Sequence, residues 1–414
     1  MQRLEATLPP RLRCTLAALG GTLAAVLPIA PATAQQDTGQ GQAPVQERPV
    51  MLVVGGNVTW DDNLFRVPHT QPVQSDRISS AYVGVRVDKP YGQQRLLFNV
   101  TETAYRYQKL SYLDFEALDY RGAWQWRLGP RVSGVLSADR SEAQVNYADT
   151  TDTSQRNLRT TQNQRFSVDG WVSGGWHLVA SALRREQRDS VPTVQQANYQ
   201  EAGAEGGVRF DAGSGSSLTF YVRSLDGEYI GQVADPVNFI DDGFKRDETE
   251  LLATWAISGK TNLQGRLAYV DYRSNEFVQR DFSGTAGDIT LLWTPAAALR
   301  IGVTASRRLE PWRDTTASYR VEDRLTLAPV WQVGAKTSVR MSLDLAASDY
   351  FNPVVATTGP LREDTLRSVL LGADWVPARN LLLSATLQRE ERNSNDAAFD
   401  YRATVAKISA SLAF

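Results

Sequence analysis

The 414-residue chain has a single cysteine, Cys14, and two histidines, His69 and His177. Cys14 lies inside an N-terminal stretch that reads as a removable targeting segment. The mature chain then has no thiol, which excludes a disulfide, a thiolate metal site and a thiol nucleophile. His69 sits in a loop between Pro68 and Thr70, and His177 follows Trp176 just after a tight turn. Two such isolated histidines make neither a transition-metal cluster nor an oriented Ser–His pair. No catalytic residue, metal or cofactor is expected. Asp61-Asp62-Asn63 has the composition of a calcium loop but not the Gly and terminal Glu spacing of an EF-hand, so it reads as a strand-end turn. Long apolar runs are missing as well: mean hydropathy is -0.34, and no internal run approaches the ~18 residues of a membrane helix. That absence does not touch a transmembrane barrel, in which only alternate residues meet lipid. A net charge of -2 excludes the basic footprint of a nucleic-acid binder.

What is present begins with targeting. Arg3, Arg11 and Arg13 precede a stretch (residues 15–29) made mostly of Ala, Leu, Gly and Val, and Ala32-Thr33-Ala34 fits an A-x-A cleavage site. Residues 1–34 are therefore expected to be a signal peptide. Arg13 before Cys14, with no lipobox around it, argues against lipoprotein processing. Residues 35–49, rich in Gln, Gly and Pro, read as a disordered periplasmic leader.

From Val50 onward the pattern has period two. Leu118, Tyr120, Gly122, Trp124 and Trp126 interleave with Asp119, Arg121, Ala123, Gln125 and Arg127. The same alternation runs through residues 132–139, 299–305, 339–346 and 381–388. Each such segment is a half-buried strand. Around residues 96–107 the phase slips, which predicts a bulge. Connections are of two kinds in alternation. Short ones, rich in Gly and Pro, fall at residues 88–92, 128–130, 173–175, 211–216, 258–260, 294–297, 333–335 and 376–378. Between them lie longer polar loops. Seventeen connections join about 18 strands (16–18) over residues 50–414. A β-propeller also repeats at about 40 residues, but its blades need a turn about every ten. The alternating stretches here are longer. The expected fold is all-β, a transmembrane antiparallel up-and-down barrel.

The chain closes on Ile408, Ala410, Leu412 and Phe414, alternating with Lys407, Ser409, Ser411 and Ala413. This resembles the terminal signature of bacterial outer-membrane β-barrels. The resemblance implies that Ile408, Ala410, Leu412 and Phe414 are an assembly signal read by the barrel-assembly machinery. It also implies a Gram-negative outer membrane, with outer-membrane lipid around the barrel.

One face of the strands is apolar and fit for lipid. The other carries Arg, Asp, Glu, Gln, Ser and Thr, fit for a wet lumen. Arg127, Arg131, Arg209, Arg266, Arg300 and Arg340 share the inward phase near the short turns and form a candidate basic ring for an anionic polymer. The competing reading is that each pairs with a lumenal carboxylate and simply fills a wet interior. Trp171, Tyr221 and Trp331 are candidate platforms for sugar rings, although anchoring at the lipid interface is the commoner use of such residues. Trp60-Asp61-Asp62-Asn63-Leu64-Phe65-Arg66-Val67-Pro68 resembles the opening motif of EpsL-type outer-membrane proteins of exopolysaccharide gene clusters, a porin-like barrel group. Ser75-Asp76-Arg77, Tyr91-Gly92, Asn99-Val100-Thr101 and Leu118-Asp119-Tyr120 are similar too. The resemblance implies passage or assembly of a polysaccharide at the outer membrane, with periplasmic polysaccharide-export components as partners. The residues themselves leave two other readings open, a general or substrate-selective diffusion porin and a structural or adhesive barrel.

Overall fold

The computed structural model describes residues 49–149, 153–193, 198–355 and 359–414. The expected signal peptide and the leader up to residue 48 lie outside the described residues. Every long element is a strand. The first six are β1 (Val50–Asp61), β2 (Asp76–Tyr91), β3 (Gln94–Tyr107), β4 (Phe115–Leu128), β5 (Val132–Gln144) and β6 (Leu158–Ser173). Then come β7 (Trp176–Asp189), β8 (Tyr199–Asp211), β9 (Ser217–Tyr229), β10 (Gly243–Ser258), β11 (Thr261–Ser274) and β12 (Phe282–Ala296). The last six are β13 (Leu299–Pro311), β14 (Tyr319–Gly334), β15 (Thr337–Phe351), β16 (Glu363–Ala378), β17 (Leu381–Ser394) and β18 (Tyr401–Ala413).

Each strand pairs antiparallel with the next, and β18 returns to β1. The barrel is closed. In hydrocarbon, an unpaired backbone N–H or C=O has no water to turn to, so a spanning sheet must leave no edge. The seam runs from Val53 opposite Ala413 to Asp61 opposite Val405. At its lower end Phe414 and Leu52 exchange backbone bonds, 2.8 Å from the Phe414 N–H and 3.3 Å from the Leu52 N–H. The eight short turns lie at that end. Several bend at a glycine with positive φ, such as Gly92 (57°) and Gly129 (62°), where a side chain would be strained.

The period-two faces fall as the alternation predicts. Leu118, Leu136, Phe166, Leu267 and Leu387 are exposed on the lipid side. Near the short turns Trp124, Trp176, Trp255, Trp293, Trp331 and Trp375 are also exposed outward, a tryptophan girdle at the inner interface. Trp331 therefore meets lipid and is no lumenal sugar platform. The bulge expected in residues 96–107 is absent. β3 holds one continuous register with β2 and with β4. The pattern slips because Tyr105 and Tyr107, although apolar in bulk, point inward and pack in a lumenal cluster. Register irregularities occur instead beside the short turns, as between Trp293 and Ala296 or Trp375 and Ala378, at the rim where ladders end.

Removing Phe414 deletes two seam hydrogen bonds together with the last lipid-facing aromatic of β18. The folded, heat-modifiable fraction in outer membranes should fall several-fold. Normal assembly of the truncated chain would contradict the seam's dependence on this residue.

Candidate functional site

The lumen has two unlike walls. On β6–β11 the inward charges form one connected network. Arg165 and Arg223 both grip Glu205, and Arg223 also reaches Glu248 at 2.7 Å. Arg266 holds Glu250 at 2.6 Å and Glu248 at 3.2 Å, and Arg246 bridges Glu201 and Glu248 at 3.1 and 3.2 Å. The glutamates are almost fully buried. A buried carboxylate without such partners would cost several kcal/mol, so each is surrounded by guanidinium groups. The network braces neighbouring strands and leaves little net charge.

The six arginines expected to form a basic ring do not do so together. Arg266 belongs to the network. Arg209 pairs with Asp169 and Asp211 beside His177, and Arg340 pairs with Asp374. Arg131 is not on a strand face at all. It sits in the β4–β5 turn and stacks over Trp171 with 5.2 Å to the ring. Arg127 and Arg300 are exposed and make no ion pair among the described residues. The ring fails because cross-strand neighbours supply carboxylates that one-dimensional phase does not reveal. Tyr221, the other proposed platform, is buried with its ring packed over Gly207.

The opposite wall, around the seam, is different. Lys407 of β18, Arg86 of β2, and Arg121 and Arg127 of β4 share the inward phase. None makes an ion pair among the described residues. Asp139 lies opposite Arg121 in register, but it accepts a hydrogen bond from Asn163 at 2.8 Å. This stripe of unpaired cations was not legible in the sequence, because pairing depends on which strands are neighbours.

At the outer end the loops turn inward. Asn63, 1% exposed, donates to the carbonyls of Val67 and Arg402, both at 2.9 Å, and accepts from the Val67 N–H at 3.1 Å. Asp62 adds two bonds to the Thr404 backbone. Arg66 takes a positive φ of 54° and is held by Asp61 at 2.9 Å, with Glu390 at 3.6 Å. The stretch from Trp60 to Pro68 is thus a clasp across the top of the seam. The same clasp carries Phe65 into a cluster with Tyr107, Leu113, Phe115 and Tyr147.

Tyr147 opens a short 3-10 turn (Tyr147–Asp149) in the loop after β5. It meets Phe65 edge-on at 5.0 Å. Two residues later Asp149 reaches the outer ends of β16 and β17, six to seven strands round the barrel, where Arg362 and Arg392 bind it at 2.7 and 2.8 Å. Arg392 also donates to the Ala148 carbonyl. Burial alone would raise the Asp149 carboxyl, but Arg392, Arg362 and Arg320 outweigh it and hold it below the usual aspartate range. A second set of loops meets the first at Arg362. Its guanidinium lies over Phe399 (3.5 Å) and Tyr350 (4.6 Å), and Tyr350 contacts Trp312 edge-on at 5.1 Å. Behind Trp312, Arg313 covers the Tyr229 ring at 3.4 Å and bonds Gln232 at 2.8 Å. Below these loops Phe244, Tyr272, Phe282 and Tyr319 stack in a ladder with centroids 4.6–4.9 Å apart. Gly227 gives the Phe244 ring its space, since a Cβ there would lie 2.3 Å from the ring. Part of the mouth is therefore bridged by protein, held by an arginine-rich contact.

This geometry, a closed eighteen-stranded barrel with a lipid-facing girdle and a charged lumen, defines an outer-membrane β-barrel of the Gram-negative type. No family model matches the chain, and no curated protein matches it in sequence. Solved structures do match. Pseudomonas aeruginosa OccK9 (OpdG) is similar with a TM-score of 0.50 and 13% identity, over 88% of this chain and 98% of that one. Pseudomonas aeruginosa OccK2 (OpdF) is similar with a TM-score of 0.50 and 10% identity, over 88% and 97%. At such identities the likeness is one of fold.

Two outcomes test the clasp and the crossing. Asn63→Ala leaves the Val67 and Arg402 backbone groups unpaired and should cost about 2–3 kcal/mol in urea unfolding followed by gel mobility. Asp149→Asn should release the loop and raise single-channel conductance. Because the carboxyl is held low, the contact should persist down through the ordinary aspartate range, near pH 4, and be lost only as pH falls through its depressed value. Parent conductance should therefore be flat between about pH 7 and 5 and rise only in stronger acid.

Proposed function

We propose that this barrel is a substrate-selective diffusion porin for small anionic solutes. The observation that carries the reading is the bridging of the mouth by the loop after β5, anchored through Asp149 to Arg362 and Arg392 at the outer ends of β16 and β17, six to seven strands away. A lumen narrowed in this way sieves by size, whereas a polymer would need the loop to swing clear. The unpaired stripe of Lys407, Arg86, Arg121 and Arg127 supports the choice of charge. Cations facing water on one wall attract anions, while the paired network on the other wall is nearly neutral. The contacts are long-range and screened, which suits transit better than tight binding.

The resemblance of residues 60–68 to exopolysaccharide-cluster proteins supports export of a polymer as another role. Here, however, the polar side chains of that stretch are engaged in clasping the seam. An adhesive role finds less support, since the loops described at the mouth pack on one another.

Planar bilayers decide between these readings. The purified barrel should give stable channels whose reversal potential under a salt gradient has the anion-selective sign. Replacing Lys407, Arg86, Arg121 and Arg127 by Gln should move that potential toward zero or past it. Absence of channels from folded protein would sink the porin reading. So would a deletion strain that loses secreted polymer yet takes up small anions normally.

A further inference from the structure

The lipid-facing side carries charges that no transport reading uses. Above the apolar band, toward the outer loops, the outward positions switch from aliphatic to charged residues on most strands. On β3–β5, β10–β11 and β13–β14 these charges are matched in pairs. Arg106 meets Glu116 at 2.6 Å, Arg140 meets Glu142 at 3.1 Å, and Arg307 meets Asp323 at 2.6 Å. Arg273 is shared by Asp247 and Asp271.

The sector over the seam departs from this balance. Arg367 of β16, Arg389 of β17, Arg402 of β18 and Arg77 of β2 all face outward and are exposed. Glu391 engages only Arg402, at 2.8 Å. Asp62 is 4.0 Å from Arg389, which donates instead to the Thr404 hydroxyl at 2.6 Å. Glu363 lies four residues further out on β16. Arg367 and Arg77 have no ion pair among the described residues. Registers place Arg402, Glu391 and Arg367 side by side on adjacent strands, with Arg389 two residues below Glu391 on β17. With strands about 4.8 Å apart, the three guanidinium groups span roughly 10 Å. Directly beneath them Val369, Leu371, Leu387 and Ile408 are exposed to the hydrocarbon. Beside them a groove of about 520 Å³ is bordered by Trp60, Arg77, Lys109 and Ala406, with Asp61, Asp62 and Asp76 on its lumenal and loop side, so the anion contact falls on the arginines and not in the groove.

We propose that this sector is a binding site for a phosphorylated, acylated glycolipid of the outer leaflet. Arg367, Arg389 and Arg402 take its phosphates, and the aliphatic surface below takes its acyl chains. The chemistry is that of a multidentate phosphate contact at a lipid interface, where guanidinium groups are at their most effective. An inner-leaflet phospholipid does not fit, because the arginines sit at the outer end of the apolar band. The site is independent of what passes through the lumen.

Native mass spectrometry of the detergent-purified, delipidated barrel tests it, with bis-phosphorylated lipid A as probe. The parent should retain lipid A, and the dephosphorylated form should bind about tenfold more weakly. The R367Q/R389Q/R402Q variant should lose about tenfold in affinity. R106Q/R140Q/R307Q, at paired positions of the same belt, should bind like the parent. Heat-modifiable mobility checks folding. If the triple variant does not fold, R367Q alone, which breaks no ion pair, should still weaken binding about threefold. Equal binding of dephosphorylated lipid A, or equal loss from the paired-belt variant, would overturn the site. Channel recordings on the same variants should be unchanged, so this test and that of the porin reading fail separately.

Discussion

Closure of β1 on β18 is the constraint on which everything else rests. In a membrane a sheet with two free edges is not a weaker barrel but an impossible one, because the edge amides have nothing else to bond. The chain brings together two strands more than three hundred residues apart in sequence, and the loop-closure entropy of that step must be offset by contacts made at the seam itself. That explains the density of bonding there. Phe414 and Leu52 tie the lower end, and Asp62 and Asn63 tie the upper end to Thr404 and Arg402.

The clasp also links closure to the mouth of the barrel. Asn63 holds the seam, and Phe65, two residues on, packs against Tyr147 in the loop that crosses the mouth. Asp149 then ends on Arg362 and Arg392. Stability of the scaffold and width of the mouth are thus carried by one continuous chain of contacts. The positive φ of Arg66 is a small local strain, on the order of 1 kcal/mol, offset by its bond to Asp61.

The charges follow the same logic of environment. Where a carboxylate is buried on a lumenal wall, as at Glu205 and Glu248, it is surrounded by arginines. Where side chains face water, as at Arg121 and Lys407, no such demand exists, and unpaired cations persist. Toward lipid, charges such as Arg106 and Glu116 pair across strands, while Arg367 and Arg77 over the seam stand unpaired among the described residues.

The sequence by itself determined the strands, their approximate number and their two faces, because period two is a local property of the pleat and each segment displays it without reference to any other; the closed sheet sets the count at eighteen. It also marked both ends of the seam: the alternation from Ile408 to Phe414, and the individual run from Trp60 to Pro68. The sequence could not say which arginines are paired. Arg209 and Arg340 have the same phase as Arg127 and Arg300, yet only the first two find carboxylates, on strands whose register is a property of the whole sheet. Nor could it show that inward Tyr105 and Tyr107 belong to a packed lumenal cluster, or that Asp149 meets Arg392 across 243 residues of chain. Those contacts exist only once the barrel has closed, because closure alone decides which walls face each other.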